Sequence, residues 1–360
     1  MFNNINWLTV LTISGAYIAF LIGSGFATGQ EALQFYAAYG WYGLGGAAIS
    51  LVLMIYTAAS FMNAGRQHEL RTNEDTFRHF CGPVLGVMLT WYTMIMIIAV
   101  HAVMLAGAAA TLNQAYDLPV YAGAGVMAIF SMATLLLGLN KIIDVMGLIG
   151  PVVIVLTIAI AAASLCANYS QLAVGAIEVA ELDILKATPH WLFSGFVYVG
   201  LTLPGMASFL PLVGATTNSP GEIRAVAIIG PVSFIGAMIL VVLALLSSIG
   251  TIYDAEVPIM ALAQNVMPLY GSVFALVIFL GIYTTVTPLL WTVCARFAED
   301  HTPRYRILVV GLTFVGFLGA TVLPFGELLN LIYPSVGFVG LLILACLIVT
   351  DVKNSLIARD

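Results

Sequence analysis

Long apolar runs, separated by short polar breaks, repeat from one end of the chain to the other. Segments such as "IGAMILVVLALLSSIG" (Ile235 to Gly250) are apolar on every side, as helices surrounded by lipid or by other helices are. The alternation over about ten residues that a membrane β-barrel needs is missing. A membrane helix takes about 20 mostly apolar residues. Ten such spans are predicted, at 7–37, 41–64, 82–113, 120–138, 143–165, 190–213, 222–249, 272–297, 305–323 and 327–349. The stretch 250–271, "TIYDAEVPIMALAQNVMPLYGS", is too polar to cross and reads as a long loop with a short helix lying on the surface. The expected fold class is an all-α polytopic membrane protein with one transmembrane domain over 1–360.

Two spans break the pattern. Span 1 carries "AFLIGSGFATGQEALQFYAAYG" (Ala19 to Gly40), with Gly23, Gly25 and Gly29 close together. Span 6 carries "YVGLTLPGMASFLP" (Tyr198 to Pro211), in which Pro204 lacks an N–H and Gly200 and Gly205 flank it. Ser24 and Pro204 are 180 residues apart in a chain of 360. Spans 1–5 (7–165) and 6–10 (190–349) therefore read as two inverted repeats of five, with helices 1 and 6 broken at the midplane. Paired Gly- or Pro-interrupted spans in matching positions point to a binding site between inverted repeats. An unwound turn frees backbone groups that lipid cannot satisfy, so it persists only inside protein or beside a polar cavity. Freed N–H groups at a half-helix start attract a carboxylate; freed carbonyls suit a small cation. Small residues at this spacing also serve close helix packing, and for one span alone that reading stays open.

Composition sharpens the class. The chain is 61% hydrophobic and 8% charged, against about 25% charged in average chains. Basic residues favour cytoplasmic loops. With the N-terminus inside, Arg66, Arg71, Arg78, Lys141, Arg224, Arg296, Arg304, Arg306, Lys353 and Arg359 all fall inside, and of the eleven Lys and Arg only Lys186 falls outside. Both termini are expected in the cytoplasm and the chain in the inner (cytoplasmic) membrane. The first residues lack the basic region and A-x-A site of a cleavable signal peptide. Cys81, Cys166, Cys294 and Cys346 are too scattered for a zinc or redox motif. No cofactor is expected, and no nucleic-acid partner.

The span 1 motif "IGSGFATGQEALQF" (Ile22 to Phe35) resembles the first-span signature of the YkvI-type amino-acid permeases. Its "GSG" core is similar to the wider amino acid–polyamine–organocation superfamily, which has the LeuT-type fold and works by alternating access. The resemblance implies that Gly23, Ser24 and Gly25 hold a substrate carboxylate through their N–H groups. Tyr198, Gly200, Thr202 and Gly205 of span 6 would form the opposing wall. In sodium-coupled relatives a cation sits between carbonyls before the span 1 break, here Ala19 and Ile22, and span 8. There "FLGIYTTVTPLLW" (Phe279 to Trp291) places Gly281, Thr284 and Thr285 at helical spacing. Threonines inside membrane helices also bond their own i−4 carbonyl. Proton-coupled relatives often place a Lys in span 5; "IIDVMGLIGPVVIVLTIAIAAAS" (Ile142 to Ser164) has none, which favours Na⁺ over H⁺.

Ionisable groups inside a membrane are functional candidates by default. Glu31, outward of the break, is a candidate for binding an amine, pairing with a cation, or accepting a proton. His101 in span 3 is a candidate substrate contact, or a neutral imidazole satisfied within the bundle. Asp144 and Glu327 read as helix-end charges. The expected function is secondary active transport of a small amino-acid-like or carboxylate-bearing solute by alternating access, coupled to Na⁺, and neither an enzyme nor a pore: no HExxH, GxSxG or Walker motif and no filter repeat is present. The alternatives are H⁺ coupling, an ion channel, or a solute sensor on the same fold.

Overall fold

A computed structural model describes residues 5–137, 143–217, 219–266 and 268–357. Lys141 and Arg359 lie outside the described residues, as does the Asp144 side chain. The described chain is helical, with no strand. The helices are α1 (Trp7–Leu21), α2 (Ser24–Thr28), α3 (Gln30–Phe35), α4 (Trp41–His68), α5 (Asn73–Tyr116), α6 (Val120–Leu137), α7 (Ile143–Ala167), α8 (Leu172–Glu178), α9 (Trp191–Thr216), α10 (Pro220–Ser247), α11 (Ile249–Ile252), α12 (Pro258–Val266), α13 (Pro268–Phe297), α14 (Pro303–Ala320) and α15 (Phe325–Ile357).

Eight of these are long and apolar enough to cross a membrane. They coincide with expected spans 2–4 and 6–10. The other two differ from simple spans. Helix α1 stops after 15 residues, at the break in span 1. In the span 5 region, Pro151–Ala167 meets Tyr169–Glu178 at a bend of 74°.

Glycines set the helix seams. The backbones of Gly46 and Gly195 pack directly together, as do those of Met62 and Gly214, so α4 and α9 run parallel. Gly200 packs on Gly337 and Gly340, and Val197 on Gly337, so α9 and α15 are parallel too. Lipid gives helices no hydrophobic reason to associate; close packing of small residues does. Around these seams α1 packs on α10, α5 on α14 and α15, α13 on α6 and α7, and the pairs α4–α10, α5–α13 and α6–α14 also touch.

Helix 6 was expected to be broken; instead α9 runs unbroken from Trp191 to Thr216 with Pro204 and Pro211 inside it. Pro204 withholds an N–H from the Gly200 carbonyl. That oxygen faces the Gly340 backbone, where a Cα–H···O contact partly replaces the lost bond. Neighbouring helices re-satisfy a proline in just this way. A real kink lies elsewhere, in α5, where Gly82 (φ 79°) precedes Pro83. No neighbour crowds Gly82, so glycine is there for its left-handed backbone.

The short helix of the 250–271 stretch is not on the surface. In α12, Pro258, Ile259, Met260, Leu262 and Ala263 are all buried. They fill the space between α7, α13 and α2.

Candidate functional site

Span 1 is interrupted twice. Ile22 (φ −82°, ψ 100°) and Gly23 (φ −109°, ψ −167°) are extended between α1 and α2. Gly29 (φ 87°) then turns the chain between α2 and α3. That left-handed turn favours glycine, and Ile259 packs so closely on it that a side chain would clash. The whole stretch from Ser24 to Phe35 is buried. Around the break stand Met104 against Gly23, and Gly107 against Ser24 and Phe325. The Ser24 hydroxyl is buried without a well-formed hydrogen bond; the Tyr333 phenol lies beside it.

The residues named for a cation converge. Thr285 Oγ1 donates to the Ile22 carbonyl (3.1 Å) and lies 3.4 Å from the Gly281 carbonyl. Thr284 Oγ1 donates to Gly281 O (2.7 Å). Ala19 O accepts from the Ile22 N–H (3.3 Å). Four oxygens, from Ile22, Gly281, Thr284 and Thr285, thus cluster where α1 ends against α13. Uncharged carbonyl and hydroxyl oxygens are the ligands that hard cations take.

Glu31 does not point away from the break, as its place in the sequence suggested. The Gly29 turn folds it back, so that its Cγ would sit 2.5 Å from a Cβ on Gly25. Its carboxyl accepts from the Tyr198 phenol (3.0 Å) and from the Phe26 backbone N–H. Tyr198 in turn packs edge-on against Phe35 and Tyr36, each at 5.2 Å between ring centroids.

The other named residues lie elsewhere. His101 packs on Gly316 of α14, while Met104 and Gly107 further along α5 meet Gly23 and Ser24, and neither ring nitrogen of His101 has a hydrogen-bond partner. It is not brought to the break. Gly200 belongs to the α9–α15 seam, and Gly205 packs on Phe20. Thr202 donates to its own helix at Val199 O (2.8 Å).

An amide network on the α12 side of the break went unread in the sequence. Gln34 donates to Gln30 Oε1 (2.9 Å) and Gly326 O (2.8 Å), and accepts from Asn330 (2.9 Å). Gln30 donates to Ala255 O (3.0 Å) and Glu256 O (3.3 Å). Gln114 makes two bonds with the Val257 backbone, and Glu256 Oε2 accepts from the Gly326 N–H (2.9 Å). Together they fasten the segment before α12 over the break. The signal was there: Gln30 and Gln34 sit at i, i+4 in an apolar span, where two amides need partners.

Burial, reinforced by nearby Glu327, holds the Glu256 carboxyl above the ordinary glutamate value, although the Gly326 N–H pulls it back. The folded state therefore prefers the neutral acid. That preference stabilises fully below the ordinary glutamate value and is lost as pH rises through the raised one. Glu256→Gln is expected to remove this loss. Its melting temperature should exceed that of the wild type at neutral pH, with the gap closing in acid. A gap that widens in acid would contradict the assignment.

No family model matches the chain. It is 23% identical over 336 residues to the uncharacterized membrane protein YkvI of Bacillus subtilis (strain 168), covering 92% of this chain and 93% of that one. It is 26% identical over 343 residues to the uncharacterized protein YyaD of the same organism, covering 93% and 94%. With its eight apolar helices, the chain is a polytopic helical membrane protein similar along nearly its whole length to these two proteins.

Proposed function

We propose that the protein is a secondary active transporter, not an enzyme, that moves a small amino-acid-like solute by alternating access, coupled to Na⁺. It would lie in the cytoplasmic membrane with both termini inside. The observation that carries the reading is the cluster of Ile22, Gly281, Thr284 and Thr285 oxygens at the end of α1. It joins the interrupted span to α13, so a cation there would bias how those two elements sit.

The packing pattern supports a five-plus-five repeat. Number α1–α3 together as span 1, α4–α7 as spans 2–5, α9 and α10 as 6 and 7, and α13–α15 as 8–10. Exchanging each span with the one five places away turns the α1–α10 contact into α9–α4. It turns α5–α14 into α13–α6 and α5–α15 into α13–α7. The pairs α4–α10, α5–α13 and α6–α14 map onto themselves. All of these contacts are present. In such repeats one bundle rocks against the other around a fixed site.

The test is thermal stability of the purified protein against a panel of amino acids, each in NaCl or KCl. A ligand that binds the folded state raises its melting temperature. A solute that stabilises more strongly in NaCl supports coupled binding. Stabilisation that is equal in both salts for every binding solute would remove Na⁺ from the reading.

A further inference from the structure

We infer that the charged group the site recognises in its solute is an ammonium, and that Glu31 receives it; a carboxylate on the solute is not required. The inference rests on reading the span 1 break as the solute site, and not on which ion is coupled.

Three observations carry it. First, the anion place at the break is already filled by the chain itself. The Glu31 carboxyl lies over Gly25 and takes up the Phe26 N–H and the Tyr198 hydroxyl. A solute carboxylate entering there would find the place occupied and two of its donors spent.

Second, among the described residues the carboxyl group has no cationic partner. Glu31 is only 5% exposed. The nine Lys and Arg among the described residues, namely Arg66, Arg71, Arg78, Lys186, Arg224, Arg296, Arg304, Arg306 and Lys353, are all on the surface. The ion pairs among the described residues involve only Arg71, Arg78 and Arg296, with Glu69 and Glu74. Both donors aimed at Glu31 are neutral. A buried charge persists only when it is paired, and a buried acid without a partner is best matched by a cation that arrives with the solute.

Third, the surroundings suit an organic cation. Tyr36, Tyr198 and Tyr333 all lie near Glu31. Phe35 adds a fourth ring against Tyr198. An ammonium held by a carboxylate, alkylated or not, gains further from the aromatic faces that it meets. Tyr36 and Tyr198 are held in place, Tyr36 by a hydrogen bond to Ser50 (2.8 Å) and Tyr198 by Glu31.

The experiment compares three probes in the full-length detergent-purified protein: n-butylamine, alanine and butyrate. Butylamine and alanine should raise the melting temperature, and butyrate should not. Glu31→Gln should weaken both amines at least about tenfold, which corresponds to about 1.4 kcal/mol. A monodisperse Glu31→Gln protein on size exclusion shows that the fold is kept, and Thr287→Ala, whose hydroxyl donates to its own helix at Tyr283 O (2.9 Å), should bind the amines as the wild type does. Stabilisation by butyrate, amine binding that is unchanged in Glu31→Gln, or no shift with either amine would each overturn the inference. The two readings fail separately. Amine binding through Glu31 without uptake into proteoliposomes would sink transport alone; uptake indifferent to Glu31→Gln would sink the ammonium assignment alone.

Discussion

Gly340→Val is expected to abolish a stably folded protein, while Gly236→Val is tolerated. A side chain at 340 would drive into the carbonyl and Cα of Gly200. Those are backbone atoms in the middle of α9, so nothing local can swing aside. The α9 and α15 helices must move apart, and α9 is also locked to α4 through Gly195 and Gly214. Overpacking a tight site typically costs about 1–3 kcal/mol and occasionally more, and here the upper end applies because two seams share one helix. Gly236 has open space where its side chain would be, so the same substitution there controls for loss of a glycine. Monodispersity on size-exclusion and the melting temperature report the result. Equal behaviour of the two variants would contradict the close packing.

The second large effect is on the cation. Thr284→Ala combined with Thr285→Ala should eliminate any Na⁺-induced rise in melting temperature, because it removes two of the four clustered oxygens. Thr287→Ala, on the same helix, should leave it intact. The Thr287 hydroxyl donates to its own helix at Tyr283 O (2.9 Å) and has no part in the cluster. A Na⁺ response that survives the double substitution would move the cation elsewhere.

Eight of the ten expected spans were legible because lipid demands long apolar helices, and a run of twenty such residues has few other readings. The interruption at Gly23 was legible for the same reason: three glycines in an apolar span have a limited set of uses. Pro204 misled because a proline shows which hydrogen bond is lost, but not what replaces it. Here the replacement is Gly340, 136 residues further on. The α12 helix was missed because nine residues carry too short a pattern to separate a buried plug from a surface helix. Glu31 was found, but its direction was not, since distance along the sequence says nothing about the reversal at Gly29. His101 shows the converse. Its span lines the break, yet Met104 and Gly107 meet Gly23 and Ser24 while His101 meets α14, and only packing decides which neighbour a residue joins.

Gradient-driven uptake decides whether the protein couples solute movement to Na⁺. Proteoliposomes holding the protein would be given the solute selected by thermal stabilisation, with an inward Na⁺ gradient or with equal Na⁺ on both sides. Solute is expected to accumulate above its outside concentration only while the gradient lasts. Entry to the same final level with and without the gradient, or no entry at all, would contradict it.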